Sequence, residues 1–286
     1  MKRLVLFLTG LALASNGIAH ADPAVLYAAS NSRGTQRLLV LNPANGAVVR
    51  DVGPIGSGIT GLAVDPSNGV LYGSVDRQSA TYRSSLVTIN RDTGAATLVG
   101  SYQQGGETMA DITFDPTTGL LYGWLAAAGQ DDLYLINKIT GQATKVGESG
   151  LGAFGSGLDA DLSGTIFFTG SGGTGPLRTI DKLTGTPTTV ATLSNGPLGS
   201  DAINALEFNT DSNSPDFGKL FGIQFHQGAN LPSAYLITID TATGVITSRG
   251  QTVGALDAIA FEIPEPSSSV LVILGLLGIV RRRSKR

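Results

Sequence analysis

The chain has 286 residues, of which 14% are charged and 42% apolar, with 39 Gly and no Cys. Low charge, with apolar residues spread in short runs, argues for many short strands joined by turns and against disorder; the absence of Cys excludes disulfide staples, thiolate metal sites and thiol catalysis. Between residues 22 and 263, 12 Lys and Arg face 21 Asp and Glu, a net charge of −9 without a basic stripe, which argues against a nucleic-acid partner.

The first 21 residues read as a secretory signal. Lys2 and Arg3 supply the positive start, Leu4 to Ala14 the apolar core, and Ala19-His20-Ala21 the small-x-small step, so cleavage is expected after Ala21. The partners implied are the Sec translocon and signal peptidase.

Residues 22–262 form a repeat. DPSNGVLYG starts at Asp65 and DPTTGLLYG at Asp115; DLSGTIFFTG at Asp161 is a weaker copy, and NTDSNSPDFGKLFG at Asn209 a diverged one whose residues 211–218 read as an insertion loop. A second phrase follows each: LLVLNPANGAVV, LVTINRDTGAATLVG, LYLINKITGQATKVG, LRTIDKLTGTPTTV and LITIDTATGVITSRG. In the clearest copy ITGLAVD, GVLYGSV, SLVTIN and AATLVGS read as four strands, separated by turns in which Asp or Asn bonds its own backbone and Gly takes positive φ. Four strands repeating every 45 to 55 residues or so indicate a propeller blade. The chain opens on a second strand, AVLYAAS, and closes on a first, ALDAIAFE at 255–262. The expectation is an all-β fold: a five-bladed β-propeller with a composite first blade closed by N- and C-terminal strands, with an open solenoid or a sandwich as the alternatives. The repeat resembles secreted propellers with LYTID-x-x-TG-type blades and lacks the Trp-Asp step of the WD type.

The innermost strands of such a ring line its channel. Aligned on their ends, ITGLAVD, MADITFD, GLDADL, INALEFN and LDAIAFE place Val64, Phe114, Leu162, Phe208 and Phe261 between blades. The alternate positions carry Asp111, Asp159, Asp161 and Glu207, with Asn204 and Asp257 one step away. Converging carboxylates repel unless protonated, hydrated or bridged. A hard cation such as calcium suits these oxygens, so the four acids are a candidate cation site. Trp124, Tyr72, Tyr122 and Phe221 recur at equivalent strand positions and read as core. His226 is the single His left after signal removal, too little for a Ser-His-Asp set. GSGIT, GSGLD and GSGGTG read as loops between blades.

The chain ends EIPEPSSSVLVILGLLGIVRRRSKR. The apolar run Val270 to Val280, with Ser267 to Ser269 about 14 residues or roughly 21 Å as a helix and so short for a hydrocarbon core of about 30 Å, is followed by Arg281, Arg282, Arg283, Lys285 and Arg286, which the positive-inside rule keeps in the cytoplasm. Pro264 and Pro266 prevent a helix from running back into the body. Pro264-Glu265-Pro266, the apolar transmembrane helix and the Arg cluster, in that order over residues 263–286, resemble the PEP-CTERM sorting signal of Gram-negative bacteria. The resemblance implies processing by an exosortase, an inner-membrane-anchored intermediate, release or transfer to the cell surface or extracellular space, and association with exopolysaccharide or biofilm systems. The expected function is a non-catalytic exported binding or structural module, with a polysaccharide or surface protein as partner. The alternative is a metal-dependent lyase or lactonase using the acidic channel.

Overall fold

The computed structural model describes residues 24–127, 130–152, 157–170, 175–226 and 233–262. The signal and sorting segments, with Ala19, Ala21, Pro264 to Pro266 and the Arg cluster, lie outside the described residues.

The described residues form strands and turns without a helix. The chain opens with β1 (Leu26–Ser30), β2 (Arg37–Leu41) and β3 (Val48–Pro54). Four complete sheets follow. The second blade is β4 (Ile59–Val64), β5 (Leu71–Val75), β6 (Ser85–Ile89) and β7 (Ala96–Ser101); the third is β8 (Thr108–Phe114), β9 (Leu121–Ala127), β10 (Gln130–Ile136) and β11 (Ala143–Lys145). The fourth is β12 (Gly157–Ala160), β13 (Ile166–Thr169), β14 (Pro176–Ile180) and β15 (Pro187–Thr192); the fifth is β16 (Ile203–Phe208), β17 (Leu220–His226), β18 (Ser233–Ile239) and β19 (Ile246–Thr252). A last strand, β20 (Leu256–Phe261), returns to β1, giving the order β20-β1-β2-β3.

That pairing closes a five-bladed propeller. It is antiparallel, with Leu26 opposite Phe261 and Ala29 opposite Ala258, and Glu262 N donates to Val25 O at 2.8 Å. Without it both β1 and β20 would present open sheet edges.

Burial follows the radius of the ring. Strands β4 and β8 are buried along their whole length, whereas the outermost strands β3 and β7 are largely exposed. The core lies in the seams between blades. Aromatic side chains step from one sheet to the next: Phe114 packs on Tyr72 at 5.6 Å, Phe208 on Phe167 at 5.3 Å and Phe261 on Phe221 at 5.1 Å, all edge to face. Trp124 is fully buried with its centroid 4.0 Å from that of Phe168. The periodic aromatics are therefore core, and Trp124 and Tyr102 are both at 0% exposure.

Two further repeats knit the seams. The first is steric. A Cβ on Gly53, Gly100 or Gly147 would fall 2.0 Å from the carbonyl oxygen of Thr93, Thr140 or Thr184 in the next blade, and one on Gly250 would fall 2.1 Å from Asn45 O. At the remaining seam a Cβ on the turn residue Gly244 would fall 2.2 Å from Thr192 O. All five seams thus need a glycine where an outer strand meets the neighbouring Asn/Asp-x-x-x-Gly turn. The second is ionic. Lys138 pairs with Asp65 and Lys182 with Asp115, each at 2.6 Å, and Arg91 pairs with Glu262. Each cation is the second residue of a β-turn between the third and fourth strands, and each acid caps the innermost strand of the preceding blade. Asp65 and Asp115 are themselves fully buried. In the composite blade, where the other four have a turn, Val25 and Glu262 meet through a backbone hydrogen bond, and Glu262 takes the place of the turn aspartate.

Candidate functional site

Aligning the innermost strands on the residue before the turn gives the positions Val64, Phe114, Ala160, Phe208 and Phe261. One step in lie Ala63, Thr113, Asp159, Glu207 and Ala260, and three steps in lie Gly61, Asp111, Gly157, Ala205 and Ala258. These alternate positions point to the inner strand of the adjoining blade, where a Cβ on Gly157 would meet Leu206. Four of the five at the deeper level are Gly or Ala, so the channel there has room for one side chain, Asp111. A Cβ on Gly61 would lie 2.8 Å from Asp111 Oδ1. A bulge next to this level, at Thr60, Ala110 and Asn204, shifts the register against the second strand.

The acids are held by neighbouring blades. Asp111 Oδ2 accepts the backbone N–H of Leu158 at 2.9 Å and of Leu206 at 3.3 Å, linking β8 to β12 and β16; Oδ1 accepts Ile112 N at 2.9 Å. Asp159 accepts the Thr113 hydroxyl at 2.6 Å and the Phe208 N–H. Glu207 Oε1 accepts Phe261 N at 2.9 Å. Asp257, at the opposite mouth, accepts Asn31 Nδ2 at 3.0 Å.

Asp161 does not belong to this set. It occupies the turn position of Asp65 and Asp115, where Oδ1 accepts Ser163 N and Thr165 N at 2.9 Å. The turn after β12 is one residue shorter than its counterparts, with Gly164 rather than a fifth residue closing it. Sliding past that deletion puts Ala160, not Leu162, at the inter-blade position; Leu162 lies on the turn, 50% exposed. Among the described residues no group of three or more His, Cys, Asp or Glu side chains is placed to hold one metal ion. The four-residue cation site is therefore reduced to an axial cluster of Asp111, Asp159 and Glu207, whose oxygens face N–H donors.

Burial is the first cause of the titration behaviour here. It pushes the carboxyl of Asp111 well up despite three backbone donors, and it raises Asp159 to about 7 against hydrogen bonds from Thr113 and Phe208. Glu207 rises well above the ordinary range through burial and then repulsion from Asp159. Asp257 is raised to about 7 by burial. At the seams the balance reverses. Burial would raise Asp115, but hydrogen bonds from Lys182 and Thr117 outweigh it and hold the carboxyl down to about 2.

Above Asp159 and Glu207 the channel widens into a cup of about 180 Å³. Phe114, Phe208, Phe261 and Val64 form its wall, Pro66, Pro116, Leu162 and Thr210 its rim, and Thr113, Asp159 and Glu207 its floor. Glu207 is only half-buried because it looks into this space. The cup was not apparent from sequence. Its signal was present, since the same large apolar positions assigned to the seams also ring the channel mouth. His226 lies elsewhere, exposed on the loop face, with Nδ1 2.7 Å from Asp201 Oδ2.

No family model and no curated protein matches the chain. Solved structures do. The chain is similar to one in a crystal structure of a nidogen/laminin complex, at TM-score 0.54 and 13% identity, over 84% of this chain and 98% of that one. It also matches TolB from Acinetobacter baumannii at 0.48 and 14%, over 84% and 66%, and glutaminyl cyclase from Myxococcus xanthus at 0.46 and 14%, over 72% and 71%. The nidogen/laminin match agrees with the propeller fold. At these identities no activity transfers from any of them.

Proposed function

We propose that this chain is an exported, non-catalytic β-propeller that binds its ligand in the apolar cup at the channel mouth. In this reading the Pro264-Glu265-Pro266 tail directs it, through an exosortase, to the cell surface or extracellular matrix. The observation that carries the non-catalytic part is how the axial acids are used. A lyase or lactonase acting through a channel metal needs free carboxylate oxygens converging on one ion, whereas Asp111, Asp159 and Glu207 accept backbone N–H groups of neighbouring blades. The cup is what remains for recognition: concave, mostly apolar, with few polar groups at its floor, which is the usual make-up of a ligand site. The acidic body and the ordered features of the tail support delivery to an exopolysaccharide or biofilm setting.

Two variants test the two halves. Replacing Pro264-Glu265-Pro266 by three alanines is expected to hold the protein in the inner-membrane fraction at its unprocessed mass; unchanged release would overturn the sorting route. Thr210→Trp, at the rim of the cup, is expected to leave sorting intact but to abolish retention on extracellular matrix; full retention would overturn binding at the cup.

A further inference from the structure

The cup combines features that the binding reading alone does not explain. Three Phe rings stand around two carboxyl groups. At the level of Asp159 and Glu207 the other three inner strands offer Ala63, Thr113 and Ala260, so no basic side chain answers the acids from within the ring. Further acids stand nearby: Asp111 deeper on the axis adds to the repulsion on Glu207, and Asp161 on the adjoining turn adds to that on Asp159. Among the described residues, the cations paired across the seams at this end of the ring are engaged, and Arg249, over the Phe221 ring, is bound to Asp216. Lys138 is bound to Asp65 and lies 5.5 Å from the Phe114 centroid, Lys182 is bound to Asp115, and Arg91 to Glu262. Size narrows the ligand further. A volume of about 180 Å³ falls below the roughly 300–1,000 Å³ of sites for drug-sized molecules. It suits a body no larger than one amino-acid side chain.

We propose that the cup binds a small organic ammonium ion, its charge set against Glu207 and Asp159 and its apolar body against Phe114, Phe208 and Phe261. The assignment rests on the cup being the binding site. It follows from charge complementarity and from ring chemistry: aromatic faces attract cations, most strongly where water is excluded. An incoming ammonium also supplies the opposite charge that the two acids lack, which favours their ionised form. Binding therefore releases protons near neutral pH and strengthens as pH rises.

Calorimetry on the purified protein tests this with 2-phenylethylammonium, its neutral counterpart 2-phenylethanol, and calcium chloride, each at about pH 6 and about pH 8. The expected result is an amine that binds at least tenfold more tightly than the alcohol and at least tenfold more tightly at the higher pH. Its heat should vary with the ionisation enthalpy of the buffer, reporting proton release. Glu207→Gln should weaken the amine at least tenfold and leave the alcohol unchanged. Should that variant not fold, the amine-to-alcohol ratio and the pH trend of the parent protein decide. Equal affinity for amine and alcohol, without pH dependence, would overturn the ammonium assignment while leaving the cup as a site. Calcium heat that displaces the amine would assign the acids to a metal instead. No binding of either organic probe to folded protein would overturn both readings.

Discussion

Asp111→Ala probes the centre of the ring. The carboxyl accepts two N–H groups from other blades, Leu158 at 2.9 Å and Leu206 at 3.3 Å, both on Oδ2. Alanine leaves both donors buried without an acceptor, at about 1–3 kcal/mol each. The loss of Ile112 N on Oδ1 is local and smaller. Little is returned by removing a buried charge, because burial has already pushed this carboxyl toward its neutral form. The net cost is therefore about 2–5 kcal/mol, or roughly 5–15 °C in the melting midpoint of a domain this size. Asp111→Asn separates hydrogen bonding from charge. Its carbonyl oxygen, turned to the Oδ2 side, keeps both inter-blade bonds, so a cost of only about 1 kcal/mol is expected. Urea unfolding followed by the fluorescence of Trp124, the one Trp and fully buried, reads both variants. An Ala variant within about 0.5 kcal/mol of the parent would refute the role given to this acid. An Asn variant as damaged as Ala would show that charge, not bonding, matters there.

The remaining expectations concern pH and the seams. Asp159 and Asp257 are raised to about 7, and Asp111 and Glu207 are also raised, so the folded chain holds protons that the unfolded chain gives up. The contribution of Asp159 and Asp257 is complete below about pH 4 and is lost as pH rises through about 7; that of Asp111 and Glu207 has the same sign. Asp115, held at about 2, and the lowered Asp65 and Asp216 contribute above about pH 4 and lose that contribution as pH falls toward 2. Melting midpoints should peak near pH 4–5 and fall by pH 8; a flat or rising profile over that range would contradict the assignment. Lys182→Met removes the cation from a fully buried carboxylate and should cost about 1.5–3 kcal/mol by denaturant titration, and no loss would mean that the Thr117 contacts suffice. Gly141→Ala places a Cβ 2.2 Å from Gly100 O at a φ of +77°, and should lower the melting midpoint by several degrees; the same change at Gly119, with φ +69° but open space, should cost about 1–2 kcal/mol from the backbone alone. Equal effects at the two glycines would argue against close packing of the seam.

The blade plan was legible because its punctuation is local. Asp65, Gly69, Asn90 and Gly94 each announce a turn, and the intervening runs are too short for anything but strands. Closure was legible because AVLYAAS and ALDAIAFE are the two halves of one hairpin. Three things were not. The turn after β12 lost a residue, which shifted Asp161 and Leu162 out of frame. The bulge at Thr60, Ala110 and Asn204 left no mark in composition, because any short side chain tolerates it. The pairing of Lys138, Lys182 and Arg91 with acids about 70 to 170 residues away is a property of the closed ring, invisible along the chain although each cation sits in a recognisable turn. The cup combines all of these, since its walls belong to different blades and meet only after closure.

The missing hairpin of the first blade fixes how the molecule stands. Val25 and Glu262 emerge side by side, a single hydrogen bond apart, directly after Phe261 of the cup wall. A tether attached at either end therefore draws that wall toward its support and turns the opposite face, with His226 and Asp201, outward. On the proposed reading, a ligand for the cup approaches through the gap between protein and support, so the length of the tether, rather than the shape of the cup, sets how large a molecule can deliver an ammonium group there.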